Sequence, residues 1–233
     1  MSKTIAMIPY YGGRNGEHLM CTRQLEKLMP IVHIDACPYV DMARAFLVKL
    51  ALKEAPDADV LVFIDHDILF KADDVAAMAE RLRGSEYDML GALYAYRGAA
   101  SGLIGRIKNP PLQGTIPFFA PGIIEADYLG MGFTAIKRST FETLMQDCPS
   151  VYCPVVRSEV WPFFIHSIWP GEGYHGEDLS FCRRMRARGL KIGIDTEPRI
   201  LHLGQYAFGL EDAGIQVPRY QPLDMNFSEE KTQ

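Results

Sequence analysis

The 233-residue sequence predicts an α/β fold in which helices flank a mixed central sheet. In the N-terminal half, short and almost continuously apolar segments alternate with longer segments of helical periodicity, a pattern typical of strands covered on both faces. In the C-terminal half the predicted strands follow one another more closely, which favours a mixed sheet over a purely parallel one. Since 48% of the residues are hydrophobic, the chain can bury the core of one large domain.

The N-terminal half contains apolar runs that end at turn residues or carboxylates, as buried strands of α/β proteins do. The segments between them have helical periodicity, with acidic side chains near the start and basic ones near the end, as the helix dipole favours. We expect strands over residues 3–10, 29–36, 59–65 and 87–97, and helices over residues 40–55 and 71–84.

The C-terminal half combines regular elements with two long loop regions. Residues 98–122 are rich in Gly and Pro, and residues 148–175 are rich in aromatic residues and Pro. Long excursions of this kind are often functional. Regular elements are expected elsewhere: two strands around a glycine hinge over 123–138, helices over 139–147 and 176–189, and two short strands over 190–204.

The charge and the cysteine content narrow the possible functions. A formal net charge of −5 does not favour nucleic-acid binding, although a local basic face stays possible. The N-terminus does not resemble a signal peptide, and no apolar run approaches the roughly 18 residues of a membrane span. The five cysteines form no Cys-x-x-Cys pair, so we expect reduced thiols and a cytoplasmic protein.

The segment VLVFIDHDILF, residues 60–70, holds two carboxylates at the end of a buried strand. Residues two apart in a strand point the same way, so Asp65 and Asp67 are expected to face one point. His66 then either turns away or, if the strand twists at its end, reaches the site. Two adjacent carboxylates repel each other unless a cation lies between them, and their oxygens suit Mg²⁺ or Mn²⁺. The alternative is a turn in which Asp67 caps a short 3₁₀ segment.

Further candidate residues lie at predicted strand ends and helix starts, although each also has an ordinary structural role open to it. Glu177 and Asp178 open a predicted helix, where the dipole favours acids and where a carboxylate could act as a general base. His202 could be a third metal ligand, because imidazole suits Mn²⁺ as well as Zn²⁺. A nucleotide needs an aromatic face, a hydrogen-bond acceptor and a cation, which Pro9, Tyr10, Tyr11, Asp35 and Arg44 could supply.

The order of these segments resembles that of GT-A-fold glycosyltransferases. The strand ending in Asp-x-Asp is followed by YLGMGFTAIKRSTFE, then by GYHGEDLSFCRRMRARG and by a late ILHLG, as in family-2-like bacterial and phage enzymes. GYHGED is also similar to the Trp-Gly-Gly-Glu-Asp segment of animal galactosyltransferases. The resemblance implies one GT-A-type, Rossmann-like domain over residues 1–208. It comprises a nucleotide-binding half (1–97) and an acceptor and metal half (98–208), with a C-terminal tail over 209–233.

The resemblance also implies a function, the metal-dependent transfer of a sugar from a UDP- or GDP-sugar to an acceptor hydroxyl, with inversion. Asp67 and His202 would hold Mn²⁺ or Mg²⁺, and Asp65 would share the metal or contact the ribose or donor sugar. Asp178 would be the general base, and Glu177 would bind the acceptor or the donor. Pro9, Tyr10, Asp35 and Arg44 would line the nucleotide pocket, and Gly130 and Gly132 would let the backbone approach the donor sugar.

Other functions stay open at this point. A non-catalytic module that binds a nucleotide sugar or a glycan would use the same residues without transfer. A phosphohydrolase with an aspartyl nucleophile carries Asp-x-Asp on its first strand and Thr or Val two places later, where this chain has Leu69. A sugar-nucleotide pyrophosphorylase would need a longer glycine-rich loop than Gly12-Gly13-Arg14. The sequence does not identify the acceptor, which could be a glycan, a lipid-linked sugar, a protein or a nucleobase, nor the oligomeric state.

Overall fold

The computed structural model describes residues 3–97, 104–108, 121–204 and 206–213. In these ranges the strands are β1 (Thr4–Pro9), β2 (Ile31–Ile34), β3 (Val60–Ile64), β4 (Ile68–Leu69), β5 (Met89–Gly91), β6 (Gly105–Ile107), β7 (Ile123–Leu129), β8 (Phe133–Lys137), β9 (Val151–Cys153), β10 (Ser158–Val160), β11 (Ser167–Trp169), β12 (Gly173–His175), β13 (Ile192–Asp195), β14 (Leu201–Leu203) and β15 (Ala207–Phe208). The helices are α1 (Gly16–Leu25), α2 (Val40–Glu54), α3 (Ala72–Arg83), α4 (Arg138–Met145) and α5 (Glu177–Ala187), and a 3₁₀ helix covers Leu210–Ala213.

The central sheet has eight strands in the order β2-β1-β3-β8-β5-β13-β7-β6. β1 runs parallel to β2 and β3, and β13 runs parallel to β5. β8 runs antiparallel to both β3 and β5, and β7 runs antiparallel to β13. The predicted α/β fold with a mixed central sheet is therefore confirmed. β3 is an interior strand of this sheet, and open α/β sheets bind ligands at the carboxyl ends of such strands.

Hydrophobic clusters cover both faces of the central sheet, and neighbouring residues of one strand belong to different clusters. In β3, Leu61 and Phe63 pack with residues of α2, α4 and α5, whereas Val62 and Ile64 pack with residues of α1 and α3. All four side chains are fully buried. A strand covered on both faces needs apolar side chains at every position, which explains the unbroken apolar run before Asp65.

Helix α1 is an element that the sequence pattern did not predict. Its buried residues are His18, Thr22 and Leu25, so the face it presents to the protein is mostly polar and lacks apolar periodicity. Asn15 caps the helix, because its side chain accepts hydrogen bonds from two backbone N–H groups of the first turn. That capping residue was the signal from which the helix could have been found.

Several predicted boundaries differ from the structure. Of the strand expected over 87–97, only β5, which ends at Gly91, forms a continuous strand, and Ala95 adds an isolated bridge. The loop region 148–175 contains the hairpins β9–β10 and β11–β12. The loop region 98–122 lies largely outside the described residues, although β6 belongs to it. The tail expected from 209 begins as a 3₁₀ helix, and its residues from 214 onward also lie outside the described ranges.

Two further features of the structure concern the redox state of the cysteines and the length of the helices. All five cysteines are free thiols, as predicted. Among the described residues the longest helix is α2, with 15 residues. In this part of the chain no helix has both the length and the apolar character that a membrane crossing requires.

A buried ion pair ties α3 to the end of β13. Arg81 Nη2 lies 2.7 Å from Asp195 Oδ2, and the Asp195 side chain is 0% exposed. Burial raises the pKa of Asp195, although Arg81 opposes the shift. At neutral pH we expect Arg81→Met to lower the free energy of unfolding by about 2–3 kcal/mol, because it leaves a buried carboxylate without its cation.

Chemical denaturation would measure this loss of stability. Arg188→Met is the matched control, because Arg188 is 36% exposed and pairs with Asp147, which is 54% exposed. That variant should lose less than about 1 kcal/mol. Equal losses in the two variants would contradict the prediction.

Candidate active site

Residues 65–67 form a tight turn rather than the end of a strand. β3 ends at Ile64, and the Ile68 N–H donates to the Asp65 carbonyl at 3.0 Å. The prediction that Asp65 and Asp67 continue the strand is therefore wrong, and the alternative of a turn describes the backbone, although both carboxylates line the same cleft. The turn gives the two carboxylates separate partners.

A short strand pairing places His202 beside Asp67. β4, which follows the turn, pairs with β14 in a small sheet, and the Leu203 N–H donates to the Asp67 carbonyl at 2.7 Å. As a result, His202 Nε2 lies 3.6 Å from Asp67 Oδ2. Arg97 approaches the same carboxylate oxygen to 2.7 Å. Burial favours a higher pKa for Asp67, but His202 and Arg97 hold the pKa below its usual range.

A hydrogen bond to a backbone carbonyl fixes the orientation of the His202 ring. Its Nδ1 lies 2.8 Å from the Ala95 carbonyl oxygen, and only 7% of the residue is exposed. A carbonyl oxygen can only accept a hydrogen bond, so Nδ1 carries a proton. Nε2 is thereby directed at the Asp67 carboxylate, which is the arrangement that orients histidines in metal sites.

A buried arginine on α2 connects two parts of the site. Arg44 is 2% exposed. Its guanidinium donates to Asp65 at 2.9 and 3.1 Å, to Asp178 at 2.7 Å and to Glu177 at 3.1 Å. These contacts join the end of β3 to the first turn of α5. The sequence suggested Arg44 as a cation for phosphate, but the structure directs its guanidinium at carboxylates.

The protein environment raises the pKa of Asp178 above its ordinary value. Burial raises its pKa to about 6, with further contributions from Glu177 and Asp65, while Arg44 opposes the shift. One carboxylate oxygen bonds to Arg44, and the other accepts from the Met131 N–H at 3.1 Å. The side chain is still 28% exposed, so a substrate hydroxyl can reach it. A base with a pKa near the working pH is the effective kind.

His166 also belongs to this cluster, although the sequence suggested only a structural role for it. Its Nε2 lies 3.4 Å from Glu177 Oε2, and its ring stacks on Tyr174 with centroids 5.5 Å apart. His166 directly precedes β11 and Tyr174 lies in β12, and the strands of this hairpin are too short to be recognised from periodicity. The only signal in the sequence was the nearness of these aromatic residues to the Glu-Asp pair.

A cleft of about 240 Å³ opens at the carboxyl ends of β1 and β3. It brings together several residues that the sequence singled out, and it includes His66. Of the two orientations that the sequence left open for His66, the structure has the one that reaches the site, because all three residues of the Asp-His-Asp segment line one cleft. Residues lining the cleft include Pro9, Tyr10, Asp65, His66, Asp67 and Arg97.

Comparison with known proteins bears on the fold. No family model and no curated protein matches the chain. Among solved structures, A197 from STIV has a TM-score of 0.60 and 19% identity, over 94% of this chain and 97% of that one. GalNAc-T7, solved with UDP, GalNAc and Mn²⁺, has a TM-score of 0.51 and 14% identity, over 86% of this chain and 44% of that one. The chain has a GT-A-like fold.

In this GT-A-like fold, Asp67 and His202 fit a divalent cation. A carboxylate oxygen and an imidazole nitrogen, both ligand types that Mn²⁺ accepts, lie 3.6 Å apart, and the Arg97 guanidinium lies 2.7 Å from the same oxygen. Among the described residues no group of three or more His, Cys, Asp or Glu side chains is arranged to hold a metal. Asp65 bonds to Arg44 instead. A hard cation bound through one or two protein groups completes its shell with phosphate oxygens and water.

The structure keeps Asp35 apart from the cleft lining. The Asp35 carboxylate accepts two hydrogen bonds from one nitrogen of Arg14, both at 2.8 Å, and it is about half exposed. The Arg14 guanidinium lies 4.5 Å from the centroid of the Tyr10 ring. Asp35 is therefore linked to the cleft through Arg14 and Tyr10.

The space beside Gly130 and Gly132 is filled by Tyr94. A Cβ atom added to either glycine would lie 2.5 or 2.6 Å from the Tyr94 hydroxyl, which accepts a hydrogen bond from the Gly132 N–H at 3.0 Å. These glycines therefore make room for a phenol rather than for a donor sugar. Burial raises the pKa of Tyr94 well above its ordinary value, so the phenol stays neutral. Its ring meets His202 edge-on at 5.1 Å and supports the imidazole.

Proposed function

We propose that this protein is a metal-dependent glycosyltransferase that moves a sugar from a nucleoside-diphosphate sugar to an acceptor hydroxyl with inversion. The observation that carries the proposal is the joint placement of the Asp67–His202 pair and the Arg44-bound Asp178 at one edge of the sheet. The fold shared with GalNAc-T7, which was crystallised with UDP, GalNAc and Mn²⁺, supports it.

Asp67 and His202 are the proposed ligands for Mn²⁺ or Mg²⁺. Such an ion, when bound, offsets the negative charge that develops on a departing diphosphate. His202 is held for this role by the Ala95 carbonyl and by the Tyr94 ring. Arg97 lies on the same carboxylate and is 49% exposed, so it provides a second positive charge for the diphosphate.

Asp178 is the proposed general base, and Arg44 is the proposed positioning residue. Asp178 accepts the proton of the acceptor hydroxyl, which is a poor nucleophile until that proton is removed. Arg44 orients Asp178 through the 2.7 Å contact and holds Glu177 next to it. Glu177, paired with His166, is placed to accept a hydrogen bond from another hydroxyl of the acceptor or the donor.

The cleft is the proposed donor site, for which a UDP- or GDP-sugar has the required chemistry. Asp65 lines the cleft and is held by Arg44, so its carboxylate can accept hydrogen bonds from the ribose or the donor sugar. Pro9 and Tyr10 line the same cleft on the side of β1. The Arg14–Asp35 pair, which stacks on Tyr10, is the nearest polar group for the nucleotide base.

Ligand-induced stabilisation tests the donor site. We expect UDP or GDP together with Mn²⁺ to raise the Tm, because a ligand that binds only the folded state stabilises it. EDTA should remove the shift. Asp67→Asn should reduce the shift strongly, because an amide is a weaker ligand for a hard cation than a carboxylate.

The matched control is Asp73→Asn, which replaces an exposed carboxylate in the first turn of α3. It should leave the ligand-induced shift in Tm unchanged. The donor-site proposal fails if no nucleoside diphosphate raises the Tm in the presence of metal. It also fails if the shift persists at full size in the Asp67 variant.

Catalysis and binding are distinguished by a screen of nucleotide sugars for slow metal-dependent hydrolysis, which needs no acceptor. A glycosyltransferase should release nucleoside diphosphate from one donor much faster than from the others, because the donor sugar is held in a specific orientation. A protein that binds nucleoside diphosphates but hydrolyses none of the donors would be a non-catalytic binding module.

A further inference from the structure

A second cavity lies outside the proposed transfer site and is larger than the cleft. It measures about 590 Å³, within the range of ordinary ligand pockets. Its walls come from β6, β7, the β11–β12 hairpin and α5, and we call it the α5 pocket. Its polar and aromatic lining includes Arg106, Asp127, Tyr128, Trp169, Glu172 and Arg183.

The α5 pocket lies on a different face of helix α5 from the proposed base. Leu179, Arg183 and Arg186 line the pocket, whereas Asp178 bonds to Arg44. An α-helix turns about 100° per residue, so the three pocket residues share one face and Asp178 points elsewhere. A ligand in the α5 pocket would therefore not occupy the transfer site.

Positive charge exceeds negative charge in the α5 pocket. Arg106 and Arg186 both pair with one carboxylate, that of Asp127, at 3.2 and 3.1 Å. Arg183 pairs with Glu172, and its guanidinium lies 3.8 Å from the centroid of the Trp169 ring. Three guanidinium groups thus face two carboxylates, which leaves one positive charge in excess. The stacked guanidinium is already held in place, so it loses little entropy when it binds an anion.

A buried histidine in the α5 pocket has unfulfilled hydrogen-bonding capacity. His175 is 8% exposed, and its Nδ1 has no hydrogen-bond partner among the described residues. Its Nε2 lies 3.9 Å from Glu172 Oε2, beyond hydrogen-bond distance. His175 also lines the α5 pocket, so the pocket wall contains a buried polar group without a full set of hydrogen-bond partners.

We propose that the α5 pocket binds an acidic saccharide, a hydroxylated ring that carries one carboxylate or phosphate group. The three guanidinium groups carry one more charge than the two carboxylates neutralise, and this charge attracts the anionic group of the ligand. Planar guanidinium donors match carboxylate and phosphate oxygens. Asp127 and Glu172 accept hydrogen bonds from ring hydroxyls, and Trp169 and Tyr128 supply aromatic surface for the apolar side of the ring. A bare anion does not suit this lining, because the two carboxylates would repel it.

Titrations with defined small molecules test this proposal. Glucuronate and a hexose monophosphate are the two acidic probes, and glucose and inorganic phosphate each lack one of the required features. Calorimetry measures affinity, and Trp169 fluorescence reports on the site itself. We expect glucuronate or the hexose monophosphate to bind at least about 5-fold more tightly than glucose and than inorganic phosphate, a difference of about 1 kcal/mol. Which acidic probe binds more tightly tells a carboxylate site from a phosphate site.

Variants on α5 locate the binding. Arg183→Gln and Arg186→Gln should each weaken binding of the acidic probe at least about 5-fold. Both arginines are partly exposed, so the fold should tolerate the changes, and an unchanged Tm would confirm it. Arg188→Gln, which removes a partly exposed arginine that pairs with Asp147 outside the pocket, should leave binding unchanged.

Several results would overturn the proposal. Equal affinity for glucose and glucuronate would mean that no charge is recognised, and equal affinity for inorganic phosphate and the hexose monophosphate would mean that no ring is recognised. Tighter binding of uridine monophosphate would make the site a nucleotide site. Loss of probe binding in the presence of UDP and Mn²⁺ would place the probe in the cleft. An absence of binding by every probe would also refute the proposal.

Discussion

Replacement of Asp178 by asparagine is expected to lower the rate of sugar transfer about 10²–10⁴-fold, the usual contribution of a general base. The amide has nearly the same shape and still offers an oxygen to Arg44 or to the Met131 N–H, but it cannot accept a proton from the acceptor. Donor binding should persist, because Asp178 is not among the residues that line the cleft. The measurements are kcat for transfer and the Tm shift produced by UDP and Mn²⁺.

The pH dependence gives the same experiment a second readout. The pKa of Asp178 in the folded protein is about 6, above its ordinary value of 3.8. The folded protein therefore binds this proton more tightly than the unfolded protein does. The stability that the protonated carboxyl contributes is fully present below pH 3.8 and is lost as the pH rises through 6. Transfer by the unmodified protein should fall below about pH 6, because the protonated carboxyl cannot act as a base. Relative to that protein, Asp178→Asn should become more stable as the pH rises across this interval.

Asp147→Asn is the matched control for the base, because Asp147 is 54% exposed and pairs with Arg188 away from the site. It should change neither the rate nor its pH profile. If Asp178→Asn abolishes donor binding as completely as it abolishes transfer, the assignment of Asp178 as the base is wrong. A variant that keeps the full rate would contradict it as well.

Replacement of Arg44 by methionine is expected to lower the free energy of unfolding by about 3–5 kcal/mol, as for other buried ion pairs that lose one partner. Three carboxylates, those of Asp65, Glu177 and Asp178, would lose their shared cation. Burial alone lowers the pKa of Arg44, but these carboxylates raise it, so the guanidinium is charged at every working pH. Urea denaturation at neutral pH measures the loss.

Two further variants test the reason for this loss. Arg44→Lys keeps the charge but not the planar fork that reaches three carboxylates, so its stability should lie between those of the parent and Arg44→Met. Arg138→Met removes an arginine whose partner Glu142 is 55% exposed, and it should cost less than about 1 kcal/mol. If Arg44→Met were as stable as the parent, the cluster would not depend on its cation.

Much of the fold follows from local patterns in the sequence. β3 is recognisable because both of its faces are covered, and α3 because its acids, arginines and terminal Gly84 follow the rules for helix ends. α1 is not recognisable from periodicity, since its buried face contains His18 and Thr22. The β11–β12 hairpin is also hidden, because strands of three residues carry no usable period.

The candidate site was predictable in composition but not in contacts. Asp67 and His202 were both identified from the residue types that divalent cations prefer, and the structure brings them together. The contacts of Arg44 with Asp65 and Asp178 could not be predicted, because they join residues 21 and 134 positions apart. Tyr94 was missed for a related reason, since its importance depends on the two glycines that leave space for it.

The position of β8 in the central sheet has a consequence for how the protein can be divided. The resemblance suggested a nucleotide-binding half that ends at residue 97, but β8 (Phe133–Lys137) lies between β3 and β5 and pairs with both. A fragment that ended at residue 97 would leave two hydrophobic strands with unpaired edges, which favours aggregation. The two halves differ in the ligands proposed for them, but their strands interleave in one central sheet.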